Sequence, residues 1–156
     1  MTIRLARLPD DEPAILSFIW GLEKFENGFE ANRRLDPAFA TEHWPVMKAR
    51  AAERGAIFIA EAAGKPAGWA LALDESGDIF VEQAERRHGF IAELFVADGA
   101  RGQGHGRSLI AACEKGTRGR GLKVLIINVL ARNDKAIAVY ERDGFAAYNS
   151  NLRKYL

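Results

Sequence analysis

The residues best placed to do chemistry are the run Arg101-Gly102-Gln103-Gly104-His105-Gly106 and the helix start that follows it. Three glycines at alternate positions let backbone amides converge on one concavity with no side chain in the way. A helix beginning there adds unpaired N–H groups and the positive end of its dipole, so the natural occupant is a phosphate. The charge pattern agrees. Between residues 101 and 123 six bases (Arg101, Arg107, Lys115, Arg118, Arg120 and Lys123) face a single acid, Glu114, a local net charge of +5. The whole chain, with 22 Lys and Arg against 21 Asp and Glu, carries only +1, so the remainder is −4. Such a block is either a solvated face or the surroundings of a bound anion.

Two other phosphate loops do not fit. A dinucleotide-binding loop reads G-x-G-x-x-G and needs an acid at the end of the next strand. Here the third place after Gly104-x-Gly106 is Leu109, and the apolar run 122–130 holds no acid. A P-loop ends in Gly-Lys-Ser or Gly-Lys-Thr, whereas this one ends Gly106-Arg107-Ser108, so nicotinamide cofactors and ATP hydrolysis both lose support. His43, His88 and His105 show no metal-ligand spacing, and no cysteine cluster accompanies them, so no metal site is expected. The single cysteine, Cys113, falls at i+4 from Leu109 on an apolar helix face and reads as core rather than as a nucleophile.

The loop needs a strand before it and a helix after it, and both are legible. Residues 90–96 read as a strand, while Leu109, Ile110, Ala112 and Cys113 share one helix face. Upstream, residues 2–8 alternate as a short strand. A helix capped by Asp10 or Asp11 carries Ile15, Phe18, Ile19 and Leu22, with Pro13 in its tolerant first turn. A second helix starts after Asp36-Pro37 and stops at Gly55. Residues 56–63 and 67–73 are apolar strands joined at Gly64-Lys65, a hairpin. Downstream, the nearly unbroken apolar run 122–130 predicts a strand buried on both faces. A last helix over 133–143 ends at Gly144, and 145–148 and 152–155 are candidate terminal strands. The order predicts a single α/β domain over residues 1–156.

With these elements in place, Leu94-Phe95-Val96 followed by the glycine loop resembles the GNAT superfamily of acetyl-CoA-dependent N-acetyltransferases, whose pyrophosphate loop reads Q/R-x-x-G-x-G/A. The stretch Asn133-x-x-Ala136-x-x-x-Tyr140-Glu141-Arg142-x-Gly144-Phe145 is similar to that family's late helix and following turn. One departure is Asp98, where many members have proline. The resemblance implies a mixed, mostly antiparallel central sheet of about six to seven strands with about four helices. It implies acetyl-CoA as acyl donor and no metal. The pyrophosphate would sit on the amides of the Gly102, Gln103, Gly104, His105, Gly106 and Arg107 segment, with Arg101 or Arg107 adding charge. The pantetheine arm would lie along Leu94, Phe95 and Val96 like an extra strand. Asn133 would cap the last helix or also touch that arm.

Acyl transfer to an amine makes two further demands. An alkyl ammonium with a pKa near 10.4 is only about one part in 10³ neutral at pH 7, so a base must act before attack. The candidate is Glu93, at the end of the fourth strand, where some family members use an acid. The departing thiolate needs a proton or a hydrogen bond, and Tyr140 matches the family's general acid. Because a phenol of pKa about 10 is weaker than a thiol of about 8.5, either a lowered Tyr140 pKa or a hydrogen bond that strengthens as charge develops is expected. Read without the resemblance, Ala136, Val139 and Tyr140 form an i, i+3, i+4 stripe that would be core.

The expected function is therefore transfer of an acetyl group from acetyl-CoA to a primary amine by direct attack in a ternary complex. The alternative is a non-catalytic acyl-CoA-binding or regulatory module. An RNA-binding domain is disfavoured because the basic block holds no Phe, Tyr or Trp to stack on bases. No run of about 18 apolar residues occurs and the N-terminus lacks a signal-peptide pattern, so neither a membrane nor nucleic acid is expected as partner and the expected location is cytoplasmic. The acceptor, a small molecule or a protein amine, would be selected by residues 18–52 and 77–89, which match the family least. Family members commonly dimerise, which leaves a homodimer open.

Overall fold

In the computed structural model, which describes residues 2–156, the alternation of large and small residues along one strand sets the layering. Strand β3 (Lys65–Ser76) sends Trp69, Leu71 and Leu73 to one face and Ala70 and Ala72 to the other, and all five are fully buried. The large side chains are covered by helices α1 (Glu12–Asn27) and α2 (Ala38–Arg54). The alanine face leaves room for α4 (His105–Gly119), which packs through Leu109, Ile110 and Cys113. Around β3 the sheet runs in sequence order: β1 (Thr2–Leu5), β2 (Gly55–Ala62), β3, β4 (Arg87–Val96) and β5 (Leu125–Ile127). The first three pairings are antiparallel and the last is parallel, with α4 as its crossover. The β2–β3 turn is Ala63-Gly64, one residue earlier than expected, with φ of 49° and 74°. Two positive φ values give the backbone sense that follows strand twist in a two-residue hairpin.

Several expectations are corrected. Among the described residues the sheet has five strands rather than six to seven, and there are five helices rather than four, since a single turn, α3 (Gln83–Arg86), forms in the charged connection before β4. Residues 145–148 and 152–155 join no ladder among the described residues, and Leu152, Tyr155 and Leu156 are exposed. Alternation makes a strand only where a neighbour supplies hydrogen bonds, and β5 is too short to offer an edge. Within the run 122–130 only Leu125–Ile127 enters the sheet, and these three residues are partly rather than fully buried. Asp11 occupies the N-cap position of α1 without capping it. Its carboxylate instead accepts both guanidinium Nη atoms of Arg4, at 2.6 and 2.9 Å, and the Arg7 amide at 2.6 Å, and the Arg4 bond holds it below the usual carboxylate range.

One irregularity positions the site. Leu71 pairs with Glu93 and Ala72 with Ile91, so Ala92 is an extra residue in β4. Ile91 packs on the α4 side, yet Ala92 and Glu93 both turn toward α1 and α2. A bulge bends its strand and re-aims side chains. The ladder to β5, which pairs Gly89, Phe90 and Ile91 with Leu125, Ile126 and Ile127, ends where the bulge begins. From Ala92 to Val96 the β5-facing edge of β4 has no strand partner among the described residues.

Helix α5 (Asp134–Arg142) starts as expected: the Asn133 side-chain oxygen accepts from the Ala136 amide at 3.2 Å. Asn133→Ala should cost about 1 kcal/mol and lower the melting temperature by about 2–4 °C, measured by thermal circular dichroism. An unchanged melting temperature would deny the cap any energetic role.

Candidate active site

Gly102 and Gly104 have φ of +75° and +84°, and a Cβ on either would meet nothing within 4 Å. The glycine requirement is thus conformational rather than steric. The first backbone bond of α4 runs from the Ser108 amide to the Gly104 carbonyl at 3.1 Å, so the amides of His105, Gly106 and Arg107 lack helical acceptors. An anion fits this cradle on both counts, free donors and dipole. His105 is buried, and its Nδ1 has no hydrogen-bond partner among the described residues. Gly104→Ala should cost about 1–2 kcal/mol in this left-handed conformation and lower the melting temperature by several degrees. Thermal circular dichroism tests this, and an unchanged melting temperature would refute it.

Both arginines expected to add charge already have partners. The Arg101 guanidinium lies over Phe25 at 4.5 Å and Phe95 at 5.4 Å, donates from Nε to the Val96 carbonyl at 3.0 Å, and pairs with Asp98 at 2.9 Å. It clamps the end of β4 to α1. Arg107 reaches from the first turn of α4 to Asp143 at 3.0 Å, tying the loop helix to the end of α5. Leu94 and Val96 pack on the α4 side while Phe95 turns to α1, where a Cβ on Gly21 would lie 2.7 Å from its ring.

Glu93, re-aimed by the bulge, is largely buried, and its Oε1 lies 2.7 Å from His43 Nε2. His43 comes from the start of α2 and its ring stacks on Phe39, centroids 5.0 Å apart at 15°. Glu26 of α1 belongs to the same group: burial pushes its carboxyl up, Glu23 and Glu93 add to this, and Arg33 at 2.7 Å opposes it. Tyr140 approaches from the other face of the sheet, packed edge-on to Phe145 at 5.9 Å. Burial, reinforced by Glu26, pushes the phenol up to about 12. That overturns the first of the two expectations for Tyr140, a lowered pKa; hydrogen-bond donation is the one left. No described residue hydrogen-bonds its hydroxyl.

Glu26 is therefore within electrostatic reach of both Glu93 and Tyr140, and the sequence had no way to add Glu26 or His43 to the list. Fifty positions separate His43 from Glu93, and neither sits in a motif. Cys113 is buried and its thiol is pushed up to about 12 by desolvation, which keeps it from acting as a thiolate. Acids of the first 42 residues have basic partners: Arg34 pairs with Asp36 and Glu42 at 2.7 and 2.6 Å, and Arg153 pairs with Glu30 at 2.7 Å. A cleft of about 480 Å³ opens between α1 and the end of β4, walled by Trp20, Lys24, Phe25 and Asp98. No helix among the described residues is long and apolar enough to cross a membrane.

The family model for the acetyltransferase (GNAT) family matches residues 18–145. The chain is 29% identical over 165 aligned residues to a mycothiol acetyltransferase from Arthrobacter sp. (strain FB24), covering 97% of this chain and 49% of that protein. It thus spans about half the length of this curated relative. Among solved structures, a Bacillus halodurans protein superposes with a TM-score of 0.80 at 16% identity, covering 100% of this chain and 99% of that one. A ribosomal-protein-alanine N-acetyltransferase from Brucella melitensis superposes with a TM-score of 0.71 at 25% identity, covering 92% and 83%.

Proposed function

The chain belongs to the acetyltransferase (GNAT) family, and from that premise we propose that it transfers an acetyl group from acetyl-CoA to a primary amine by direct attack in a ternary complex. The observation that carries this reading is the gap opened between β4 and β5 at the Ala92 bulge, with Tyr140 on one face of the sheet and Glu93 on the other. A donor bound along the gap would meet its acid from one side and the amine, with its base, from the other.

Acetyl-CoA supplies the activated thioester. The loop amides of residues 103–107 hold its pyrophosphate, and the unpaired backbone of Leu94, Phe95 and Val96 holds the pantetheine arm as a strand would. Asn133 keeps α5 in place and so sets the height of Tyr140. Glu93 takes a proton from the acceptor ammonium, raising the share of neutral amine above the one part in about 10³ present at pH 7. Tyr140 donates a hydrogen bond to the departing sulfur. Full proton transfer from a phenol near 12 to a thiolate near 8.5 is uphill by about 5 kcal/mol, so the useful contribution is a bond that strengthens as negative charge develops.

The names of the Arthrobacter and Brucella proteins are those of acetyltransferases, which supports an amine acceptor here without choosing one. Residues 18–52 and 77–89, among them Trp20 and Lys24 at the cleft and the exposed Ile79 and Phe80, would make that choice. The deciding experiment is thiol release from acetyl-CoA across a panel of small amines, amino acids and peptides, with the acetylated product identified by mass. Release that depends on an amine supports the reading. Tight acetyl-CoA binding with no release for any amine would favour a non-catalytic acyl-CoA-binding module.

A further inference from the structure

A base that takes a proton on every turnover must also lose it. Glu93 is poorly placed to do so alone, since its side chain is only 12% exposed and the bulge turns it inward beneath α2. The titratable group within electrostatic reach of it on α1 is Glu26. Arg33 is engaged by Glu26, the Arg34 guanidinium by Asp36 and Glu42, and the Glu23 carboxylate by the Arg34 amide at 3.1 Å. Among the described residues the one side chain hydrogen-bonded to the Glu93 carboxylate is His43. The imidazole is twice as exposed, at 24%, and the Phe39 ring holds it in line with Glu93. Imidazole is the side chain able both to accept and to release a proton near neutral pH.

We propose that His43 is the exit for the proton that Glu93 removes from the acceptor ammonium, so that the working base is a Glu93–His43 pair. The assignment rests on the acetyl-transfer reading. In the first step an ammonium N–H bond breaks and a Glu93 O–H bond forms. In the second, with the ring proton on Nδ1, that O–H bond breaks as His43 Nε2 takes the proton and the ring becomes imidazolium. The Nδ1–H bond then breaks as water or buffer takes that proton, which restores the carboxylate and leaves the ring proton on Nε2; its exchange back to Nδ1 through solvent returns the tautomer that accepts from Glu93. His43 acts through Glu93 and is a positioning and relay residue rather than a group touching substrate.

The test is His43→Gln, whose amide can keep a hydrogen bond to Glu93 but cannot carry a proton. Its turnover should fall about tenfold with the acetyl-CoA KM unchanged, and added imidazole should restore it in a saturable way, because a small base in solution can empty the carboxylate. In the Glu93→Gln background the same substitution should add nothing, and imidazole should have no effect, since relay and base form one unit. Circular dichroism checks that the variant is folded, and His43→Asn provides the same readout should glutamine mispack. Wild-type turnover in His43→Gln, a deficit that imidazole does not relieve, or full additivity with Glu93→Gln would each overturn the assignment. An unsubstituted protein that releases no thiol with any amine would instead bring down acetyl transfer itself, so the two failures are separable.

Discussion

Tyr140→Phe is expected to lower kcat for amine acetylation by about 10² to 10³ while changing the acetyl-CoA dissociation constant by less than about twofold. The phenol hydroxyl has no hydrogen bond within the described residues, so its removal breaks no structural contact. The ring that packs on Phe145 is retained, so the melting temperature should stay near that of the parent. The contribution proposed for it belongs to the moment when charge appears on sulfur, and a group that acts only then alters kcat and kcat/KM equally. Because burial pushes this phenol up to about 12, it stays protonated throughout the usual assay range. An alkaline fall in rate well below that value would not be its ionisation. Stopped-assay kinetics across pH, together with direct titration of acetyl-CoA, measure both quantities. Equal turnover in the two proteins would remove Tyr140 from the mechanism and leave it as the core residue its helical stripe also allows.

Glu93→Gln should be the second large loss, and its signature is in the pH dependence. Without the carboxylate the reaction must wait for free amine, which at pH 7 is about one part in 10³ of an alkylamine with a pKa near 10.4. The expected deficit in kcat/KM is therefore about 10² to 10³ near neutrality. It should shrink about tenfold for each pH unit as the pH rises toward the amine's own pKa, because the substrate then loses its proton unaided. The parent, with a working base, should show a much flatter approach on the acid side. An acceptor of lower pKa should narrow the gap at fixed pH by the same logic. A variant whose profile runs parallel to the parent's would dismiss Glu93 as the base and, with it, the relay through His43.

The two arginines of the loop have structural partners that their place in the sequence does not announce. Both Arg101 and Arg107 stand at positions where a cation beside a phosphate is a natural expectation, and the local charge of +5 encourages it. In the folded chain one is stacked on Phe25 and Phe95 and the other reaches Asp143, so each also ties elements together. Neutralising either would loosen the frame around the loop. The glycines are a cleaner case, because their role follows from φ and needs no partner.

The local features were legible in the residues themselves. The amides of the glycine loop, the helix that follows, the Asn133 cap and the alternation of β3 all depend on neighbours within a few positions, where backbone sterics and short-range hydrogen bonds dominate. Whatever depends on distant partners was not. A strand needs a ladder, so the alternation of 145–148 and 152–155 gave too many strands, and the apolar run 122–130 kept only three residues in the sheet. The bulge at Ala92 exists only in the register between β3 and β4, yet it turns Glu93 to the face where His43, fifty positions earlier, meets it. The pKa of Tyr140 moved opposite to one of the two expectations, because burial is set by how α5 packs rather than by its own sequence. The chemistry available was thus written in residue types and short spacings. Which groups share a site, and in which protonation state, was decided by tertiary packing, since desolvation and Coulomb interactions act through space and not along the chain.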